Sequence, residues 1–168
     1  MIKVAKFERV SFNQFKKDME SFQFSEDAIK KMYENIKLPK RATTYSAGYD
    51  FFLPFDVQLK ANESITIPSG IRSNIDSSWV LQIFPRSGLG FKYQVMLANT
   101  VGIIDADYYN AENEGHIIIK IVNKSIDGID LNLTAGKAFA QGIFIQYGIT
   151  YDDDTNDTRI GGFGSTNK

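Results

Sequence analysis

The sequence of 168 residues contains no cysteine and one histidine, His116. The absence of cysteine excludes a disulfide framework, a thiolate metal site and a thiol nucleophile, and it fits a reducing compartment. A single histidine excludes a multi-histidine zinc site, and any Ser-His-Asp triad would have to use it. His116 opens the apolar run GHIIIK, a position typical of a strand end with an ordinary structural partner. Any anion binding or hydrolysis must therefore use carboxylates, hydroxyls, backbone N–H groups and a metal ion that is not held by cysteine or by several histidines.

The sequence also lacks a strong charge of either sign and long apolar runs. Nineteen Lys and Arg residues face twenty Asp and Glu residues, which leaves a formal net charge of −1. This balance does not supply the clustered cations that binding to duplex nucleic acid requires. The start, MIKVAKFERVSF, has no signal-type apolar region, and no stretch approaches the roughly 18 apolar residues of a membrane span. We therefore expect a single cytoplasmic domain that binds neither a membrane nor nucleic acid.

Residues 1–37 differ in pattern from the rest and predict a short N-terminal helical extension. The run from Ser11 to Gln14 fits a capping box, and apolar residues follow it at helical spacing. Ser25 is a second N-cap candidate, followed by two acidic residues that are favourable in a first turn. Two short amphipathic helices are expected here, packed on the body of the protein.

In residues 38–151, short apolar or alternating runs are separated by turn residues, a pattern that predicts an all-β core. Residues 152–168 are predicted to be an acidic linker followed by a flexible glycine-rich tail. The runs predicted to be strands are Val57–Lys60, Ser64–Ile67, Trp79–Phe84, His116–Val122 and Phe139–Tyr147. Many short strands without strand–helix alternation predict a sandwich, jelly roll or barrel. The acidic run DDDTND offers carboxylates to a cation, but a solvated linker that lets the tail move is the simpler interpretation.

Two stretches of this core place polar groups beside small residues. In SAGYD, Asp50 follows a small-residue turn and precedes an apolar strand. In FPRSGLG, Arg86 offers a cationic fork, Ser87 a hydroxyl, and Gly88 a bare backbone that brings N–H groups close to a phosphate. The stretch matches neither the Walker A spacing nor a nucleophile elbow, so a plain strand–turn–helix is its alternative interpretation.

The run NTVGIIDADY is the most suggestive of the chain. Asp105 and Asp107 are two residues apart, so an extended backbone would point both carboxylates to one side. Apolar residues precede them, and burial at such a place would raise the pKa of a carboxylate toward that of a general base. Tyr108 adds a flat face suited to a sugar ring. A loop with ordinary surface aspartates is one alternative, and a metal clamp of the glycosyltransferase type is another.

Two later stretches also contain candidate site residues. In GKAFAQ, Gln141 stands at an apolar site, where it would hold a water or a phosphate oxygen, or merely pair strands. In RIGGFGSTNK, Arg159 and Phe163 stand among small residues. A frayed tail is one interpretation of this segment. The other is a lid that orders over a ligand, with Arg159 facing anionic oxygens and Phe163 stacking on a flat ring.

In this order, SAGYD, PRSGLG, NTVGIIDADY, GKAFAQ and RIGGFGST resemble the five successive motifs of the homotrimeric dUTP diphosphatases, or dUTPases. The match runs from about Arg41 to Thr166, and five motifs in the correct order are highly specific. The resemblance implies a jelly-roll β-barrel and three chains per particle, with active sites at the subunit interfaces. It also implies hydrolysis of dUTP to dUMP and pyrophosphate, with Mg²⁺ held by the triphosphate.

The same resemblance implies a role for each matching residue. Asp105 corresponds to the carboxylate that activates the attacking water, and Tyr108 to the ring beneath the deoxyribose, which leaves no room for a ribose 2′-OH. Asp50 corresponds to a carboxylate that orders waters on the metal without ligating it directly. The tail would close over the nucleotide of a neighbouring subunit, with Phe163 on uracil and Arg159 on the terminal phosphate. The implied substrate-binding residues are Arg86, Ser87, Gly88, Asn99, Gly102, Tyr108, Gln141, Arg159, Phe163, Gly164, Ser165 and Thr166.

The segment Asn99–Tyr108 corresponds to the hairpin whose backbone recognises uracil, but other segments depart from the family pattern. The fourth motif has Ala138 where the family usually has arginine. Residues 109–115 form a longer acidic loop in place of a short turn. The final motif is one residue shorter before Phe163 than the commonest form, and Asn167 replaces a terminal glycine.

Two other functions are compatible with this set of residues. A dCTP deaminase shares the fold but would need an additional acid/base carboxylate, for which Glu112 and Glu114 are the nearest candidates. A nucleotide-sensing protein that binds a regulatory partner would use residues 1–40 or 109–115 as its contact surface. Both alternatives rank behind the diphosphatase.

Overall fold

The computed structural model describes residues 1–157, 159 and 161. Within these residues the chain forms twelve strands, three α-helices and one 3₁₀ turn. The strands are β1 (Ala5–Arg9), β2 (Lys40–Arg41), β3 (Tyr49–Phe52), β4 (Val57–Leu59), β5 (Ser64–Pro68), β6 (Ile71–Ile75), β7 (Trp79–Pro85), β8 (Val95–Leu97), β9 (Gly102–Ile104), β10 (Ile118–Asn123), β11 (Leu131–Leu133) and β12 (Ala138–Gln146). The helices are α1 (Phe12–Asp18), α2 (Glu26–Glu34) and α3 (Ser87–Tyr93), and the 3₁₀ turn spans Ala106–Asn110. All five predicted strands form, so the all-β prediction is confirmed.

The strands pair in antiparallel fashion in four sheets of unequal size. The largest has the order β2-β3-β12-β7-β9, and a three-stranded sheet has the order β5-β10-β8. Two-stranded sheets join β1 to β6 and β11 to β4. The long strands β7 and β12 are neighbours over seven paired positions and form the centre of the largest sheet.

The core lies on the inward faces of these sheets. In β6 and β10, residues alternate between buried and more exposed positions, as expected for strands with one face against the core. The largest side chains with no exposed surface include Phe51, Ile67, Leu81, Ile121 and Phe139, which come from five different strands. Burying such a side chain stabilises the fold by about 1.5–3 kcal/mol, so these contacts set the positions of the strand ends.

Both predicted N-terminal helices form, but the first capping box is incomplete. Ser11 caps α1, since its hydroxyl accepts a hydrogen bond from the N–H of Gln14. The Gln14 side chain does not reach back to Ser11, as a capping box requires, and instead donates to Asp18 at 2.7 Å. The carboxylate of Glu114 accepts the Ser11 N–H in its place, at 2.7 Å. Ser25 caps α2 by accepting a hydrogen bond from the N–H of Ala28.

The N-terminal extension contains a strand as well as helices. Strand β1 pairs with β6 over five positions, from Ala5 opposite Ile75 to Arg9 opposite Ile71. The N-terminal extension therefore also contains a strand that the sequence analysis did not predict. In the part of the chain that the structure describes, no helix is long and apolar enough to cross a membrane.

Candidate active site

Strand register brings three of the five motifs together on the largest sheet. Gln141 of β12 lies opposite Asp50 of β3 on one side and opposite Phe84 of β7 on the other. Its side-chain N–H donates to the carbonyl of Pro85 at 3.2 Å. A Cβ on Gly48 would lie 2.5 Å from Oε1 of Gln141, so glycine at that position leaves room for the amide. Gln141 thus packs against the FPRSGLG stretch and helps to fix its position.

The FPRSGLG stretch ends β7 and begins α3, as its strand–turn–helix interpretation predicts. The Nε atom of Arg86 lies 3.1 Å from Oδ1 of Asp50, and the arginine side chain is 41% exposed. Arg86 occupies the N-cap of α3 without a side-chain capping bond, so the N–H groups of Ser87 and Gly88 have no acceptor within the helix. A Cβ on Gly88 would meet nothing within 4 Å. Free donors and a partly exposed cation therefore face open space beside a carboxylate.

The segment that joins β8 to β9 borders a cavity of about 210 Å³. Asn99 of this segment and Gly102 of β9 line the cavity, together with Ile83 of β7, Ile117 directly before β10 and Lys120 within β10. A Cβ on Gly102 would lie 3.1 Å from the Cβ of Ile83, so the backbone passes close to β7 here. Binding sites for small organic molecules are typically concave and mostly apolar, with a few polar groups that fix orientation, and this cavity has that composition.

Asp105 and Asp107 lie at the start of the 3₁₀ turn, so the extended backbone that would point both carboxylates to one side does not span both residues. Only Asp105 is extended, with φ −76° and ψ 158°. Both carboxylates nevertheless meet one cation, because Nη2 of Arg159 lies 2.7 Å from Oδ2 of Asp105 and Nε lies 2.9 Å from Oδ1 of Asp107. The side chains of Asp105 and Asp107 are 48% and 55% exposed. A single chain therefore does not bury these carboxylates as expected for a general base.

Tyr108 is buried, with 4% of its surface exposed. Its hydroxyl donates to the carbonyl of His116 at 2.9 Å and accepts from the side-chain N–H of Asn113 at 2.7 Å. Burial raises the pKa of Tyr108, although the Asn113 hydrogen bond acts in the opposite direction. The guanidinium carbon of Arg159 lies 5.6 Å from the centre of its ring. Asn113 and His116 hold the ring, but the sequence analysis did not assign either residue to the site. Asn113 lies in a polar loop and His116 opens an apolar run, and neither pattern indicates a contact with Tyr108.

The two groups of predicted site residues lie at opposite ends of β7. Ile104 of β9 pairs with Leu81 of β7, so the next residue, Asp105, lies opposite Val80 near the start of β7. Arg86 directly follows Pro85, at the other end of the same strand. At about 3.3 Å per residue, Val80 and Pro85 are about 16 Å apart along the strand. A single chain therefore does not bring the NTVGIIDADY carboxylates to the Arg86 region.

Four predicted tail residues, Phe163, Gly164, Ser165 and Thr166, lie outside the described residues. Of the tail motif, Arg159 is described, and it contacts the aspartates as stated above. For a metal ion, the described residues offer no cluster of three or more histidine and carboxylate side chains. Asp50 places a carboxylate beside Arg86, the residue at the N-cap of α3.

Comparison with known proteins gives a consistent result. The family model described as dUTPase matches residues 34–167. The deoxyuridine 5′-triphosphate nucleotidohydrolase of Lactococcus lactis subsp. lactis is 36% identical over 140 residues, covering 80% of this chain and 91% of its own length. The crystal structure of the dUTPase from Streptococcus mutans superposes with a TM-score of 0.63 at 28% identity, covering 86% of this chain and 97% of that one.

A third similar protein is a mutant dUTPase from phage phi11 of S. aureus, whose structure describes the coordination of a structural Mg(II) ion. It superposes with a TM-score of 0.63 at 18% identity and covers 92% of this chain and 98% of that one. At this identity the likeness concerns the fold alone. The expected jelly-roll fold of these proteins is confirmed for the present chain.

Proposed function

The chain belongs to the dUTPase family and acts on dUTP, and we propose that it cleaves dUTP to dUMP and pyrophosphate with Asp105 as the general base. The observation that carries this assignment is the place of Asp105, directly after the strand that borders the cavity and three residues before the Tyr108 ring. A water activated there would attack the α-phosphate, so no covalent enzyme intermediate is required.

The cavity beside the segment that joins β8 to β9 is proposed to take the uracil ring. Asn99 and Gly102 supply polar and backbone groups, and the remaining lining is mostly aliphatic. Tyr108, held by two hydrogen bonds to its hydroxyl, would support the deoxyribose and exclude a 2′-OH sterically. Selection of base and sugar would thus use one continuous segment, from Asn99 to the 3₁₀ turn.

The start of α3 is proposed to hold the phosphates. Arg86 is partly exposed, and the N–H groups of Ser87 and Gly88 lack intrahelical acceptors, so three kinds of donor face one open region. Such donors stabilise negative charge that grows on the phosphate oxygens during attack. Gln141 supports this region through its hydrogen bond to the Pro85 carbonyl.

Mg²⁺ is proposed to arrive bound to the triphosphate. This ion keeps several waters and uses one or two carboxylates together with substrate phosphates, which fits a lone carboxylate beside a phosphate-binding region. Asp50 is that carboxylate, 3.1 Å from Arg86. When bound, the ion neutralises charge on the phosphate oxygens, and Asp50 would orient the waters around it.

The active site is proposed to be shared between subunits of a homotrimer. Asp105 and Arg86 lie at opposite ends of β7, so one chain would supply the base and a neighbour the phosphate-binding region. An open groove next to Asp105 and Asp107 is lined by Ile103 and Tyr147, two side chains that are about half exposed. An apolar patch at this position is suited to burial against another subunit. A regulatory partner bound through residues 1–40 or 109–115 remains a prediction.

The domain organisation proposed from the sequence keeps residues 38–151 as the catalytic core. The tail from residue 152 onward would then act as the lid over a neighbouring subunit's nucleotide. A triphosphate would draw Arg159 from the aspartates, because it offers more negative charge than two half-exposed carboxylates.

The test is pyrophosphate release from dUTP, dCTP, dTTP and UTP in the presence of Mg²⁺. Wild type is compared with Asp105→Asn and with Asp107→Asn, a matched control because both carboxylates contact Arg159. Release from dUTP alone, reduced about 10²–10⁴-fold by Asp105→Asn and far less by Asp107→Asn, is expected. Equal loss in the two variants would refute Asp105 as the base, and a folded wild type without release from dUTP would refute the activity.

A further inference from the structure

The N-terminal extension touches the loop after the candidate catalytic residues at three separate points. The hydroxyl of Tyr109 donates to Oε2 of Glu8 at 2.5 Å. The side chain of Glu114 accepts hydrogen bonds from the N–H and the hydroxyl of Ser11. Further along, the ring of His116 meets Asp18 of α1. Each contact joins a residue of segment 8–18 to a residue of loop 109–116.

The Glu114 contact is a bidentate one. Its two carboxylate oxygens lie 2.7 Å from the Ser11 nitrogen and 2.6 Å from the Ser11 hydroxyl oxygen. Both hydrogen bonds lower the pKa of Glu114, against burial, which acts to raise it. Glu114 has φ +58°, an unusual value for a residue with a side chain. The loop backbone therefore adopts an unfavourable conformation that aims this carboxylate at the start of α1.

The Asp18 contact is partly buried. His116 has no exposed surface, and its Nε2 accepts a hydrogen bond from the N–H of Gly70 at 2.7 Å. The proton must therefore lie on Nδ1, which donates to Oδ2 of Asp18 at 2.5 Å. Burial would raise the pKa of Asp18, but hydrogen bonds from His116 and Gln14 outweigh it and hold that pKa below its ordinary value. An ionised Asp18 thus fixes the orientation of His116.

These contacts continue to the Tyr108 ring. The carbonyl of His116 accepts the hydrogen bond of the Tyr108 hydroxyl, and Asn113, one residue before Glu114, donates to the same hydroxyl. The stretch 113–116, which restrains the Tyr108 hydroxyl, is therefore held by Ser11 and Asp18 at the two ends of α1. Asp105 belongs to the same short segment, since its carbonyl accepts the N–H of Tyr108 at 3.2 Å.

We propose that Ser11, Asp18 and Glu114 are positioning residues, through which the N-terminal extension holds Tyr108 and sets the preference for a deoxyribose over a ribose. The acidic loop 109–115 has a structural role in this arrangement: the Glu114 side chain contacts Ser11, whereas Glu112 is exposed. The kinetic part of this inference rests on the proposed dUTP hydrolysis. Its structural part, that α1 restrains residues 105–116, does not.

The experiment compares Glu114→Gln and Asp18→Asn with Glu112→Gln, which makes the same charge change at an exposed position of the same loop. Two quantities are measured on the full chain. The first is the ratio of kcat/KM for dUTP to that for UTP. The second is amide hydrogen exchange of the peptide covering residues 105–116, which needs no turnover.

We expect Glu114→Gln and Asp18→Asn to lower the dUTP-to-UTP ratio about tenfold and to speed exchange in residues 105–116 about tenfold, while Glu112→Gln leaves both unchanged. Ser11→Ala should act in the same direction, and Ser11→Thr, which keeps the hydroxyl, should restore wild-type behaviour. Because Ser11 is exposed, this pair gives a result even where Asp18→Asn lowers the yield of folded protein.

Unchanged exchange and an unchanged ratio in folded Glu114→Gln and Ser11→Ala would overturn the proposal. So would a loss of overall stability with no selective change in residues 105–116. If the wild type releases no pyrophosphate from any nucleotide, the proposed function fails, and hydrogen exchange alone then decides whether α1 restrains the loop.

Discussion

Arg159 bridges Asp105 and Asp107, with its Nη2 2.7 Å from the first carboxylate and its Nε 2.9 Å from the second. The same guanidinium lies over the ring of Tyr108. The tail arginine therefore covers the residues proposed to bind sugar and activate water. Its two roles, partner of the base and partner of a phosphate, cannot be filled at once.

Replacing this arginine is expected to weaken turnover strongly. Arg159→Ala should lower kcat/KM for dUTP about 100-fold, or about 2.7 kcal/mol of transition-state stabilisation, because a charge-assisted contact to the phosphates is lost. Arg159→Lys should recover little, since an ammonium does not reproduce the planar fork. Steady-state kinetics measures both, with Lys124→Ala at an exposed position as the control. Full activity of Arg159→Ala would exclude a phosphate role.

Sharing of the site between chains predicts complementation between two inactive variants. Asp105→Asn and Arg86→Ala should each be nearly inactive alone. After the two are unfolded together and refolded as a mixture, roughly a quarter of the sites should combine an intact base with an intact phosphate-binding region from another chain. Pyrophosphate release by the mixture measures this. A mixture as inactive as its components would place both residues in one chain's site.

The pairing of Asp50 with Arg86 predicts a change in magnesium dependence. Asp50→Asn should raise the Mg²⁺ concentration for half-maximal turnover about tenfold, because a neutral amide orients metal-bound waters less well than a carboxylate. Since Arg86 is 41% exposed, the lost ion pair should cost at most about 1 kcal/mol of folding free energy. Titration of Mg²⁺ against turnover provides the measurement, with the exposed Asp127→Asn as control. Identical titration curves would rule out this role.

The lowered pKa of Asp18 predicts how stability depends on pH. Around pH 4 the unfolded chain binds more protons at this residue than the folded chain, so the ionised carboxylate stabilises the fold above that pH and its contribution disappears as pH falls through the lowered pKa. Asp18→Asn should therefore be less stable than wild type by about 1–2 kcal/mol at pH 6–7, and the difference should shrink below about pH 4.

Urea unfolding between pH 3 and 7 measures this difference. Glu20→Gln, an exposed change near the end of the same helix, serves as its control and should follow the wild-type curve at every pH. A difference between wild type and Asp18→Asn that stays constant from neutral to acidic pH would show that Asp18 is not ionised in the fold.

Two glycines with the same backbone angle offer a matched test of the acidic loop. Gly115 and Gly128 both have φ +68°. An added Cβ would lie 2.6 Å from the carbonyl oxygen of Tyr108 at Gly115, but would meet nothing within 4 Å at Gly128. Gly128→Ala should cost about 1–2 kcal/mol for the left-handed conformation alone, and Gly115→Ala more than that. Urea unfolding compares them, and equal costs would mean that the loop shifts to relieve the clash.

Much of the fold could be predicted from local pattern. Alternating apolar residues marked the long strands, and Ser11 and Ser25 marked both helix starts, because these signals depend on neighbours in sequence. Strand β1 was missed because its residues are mostly exposed and do not alternate clearly; it forms because β6 is available to pair with it.

The candidate site was predictable where its motifs are continuous, as in the NTVGIIDADY and FPRSGLG stretches. The contact of Glu114 with Ser11 was not, because a glutamate in a polar loop has the composition of a solvated turn. Its partner lies 103 residues away along the chain, and only the folded structure brings the two together. The ion pair of Arg159 was missed for the same reason.

The distance along the chain between α1 and its partners also has a consequence for biosynthesis. The contacts of Asp18, Glu8 and Ser11 with the later loop span 98, 101 and 103 positions. At about 5–20 residues per second, a ribosome needs about 5–20 s to add the intervening residues. The apolar side of α1 can pack early against α2, as Phe15 does on Tyr33, but the hydrogen bonds of Asp18, Glu8 and Ser11 form only after the later loop has been made.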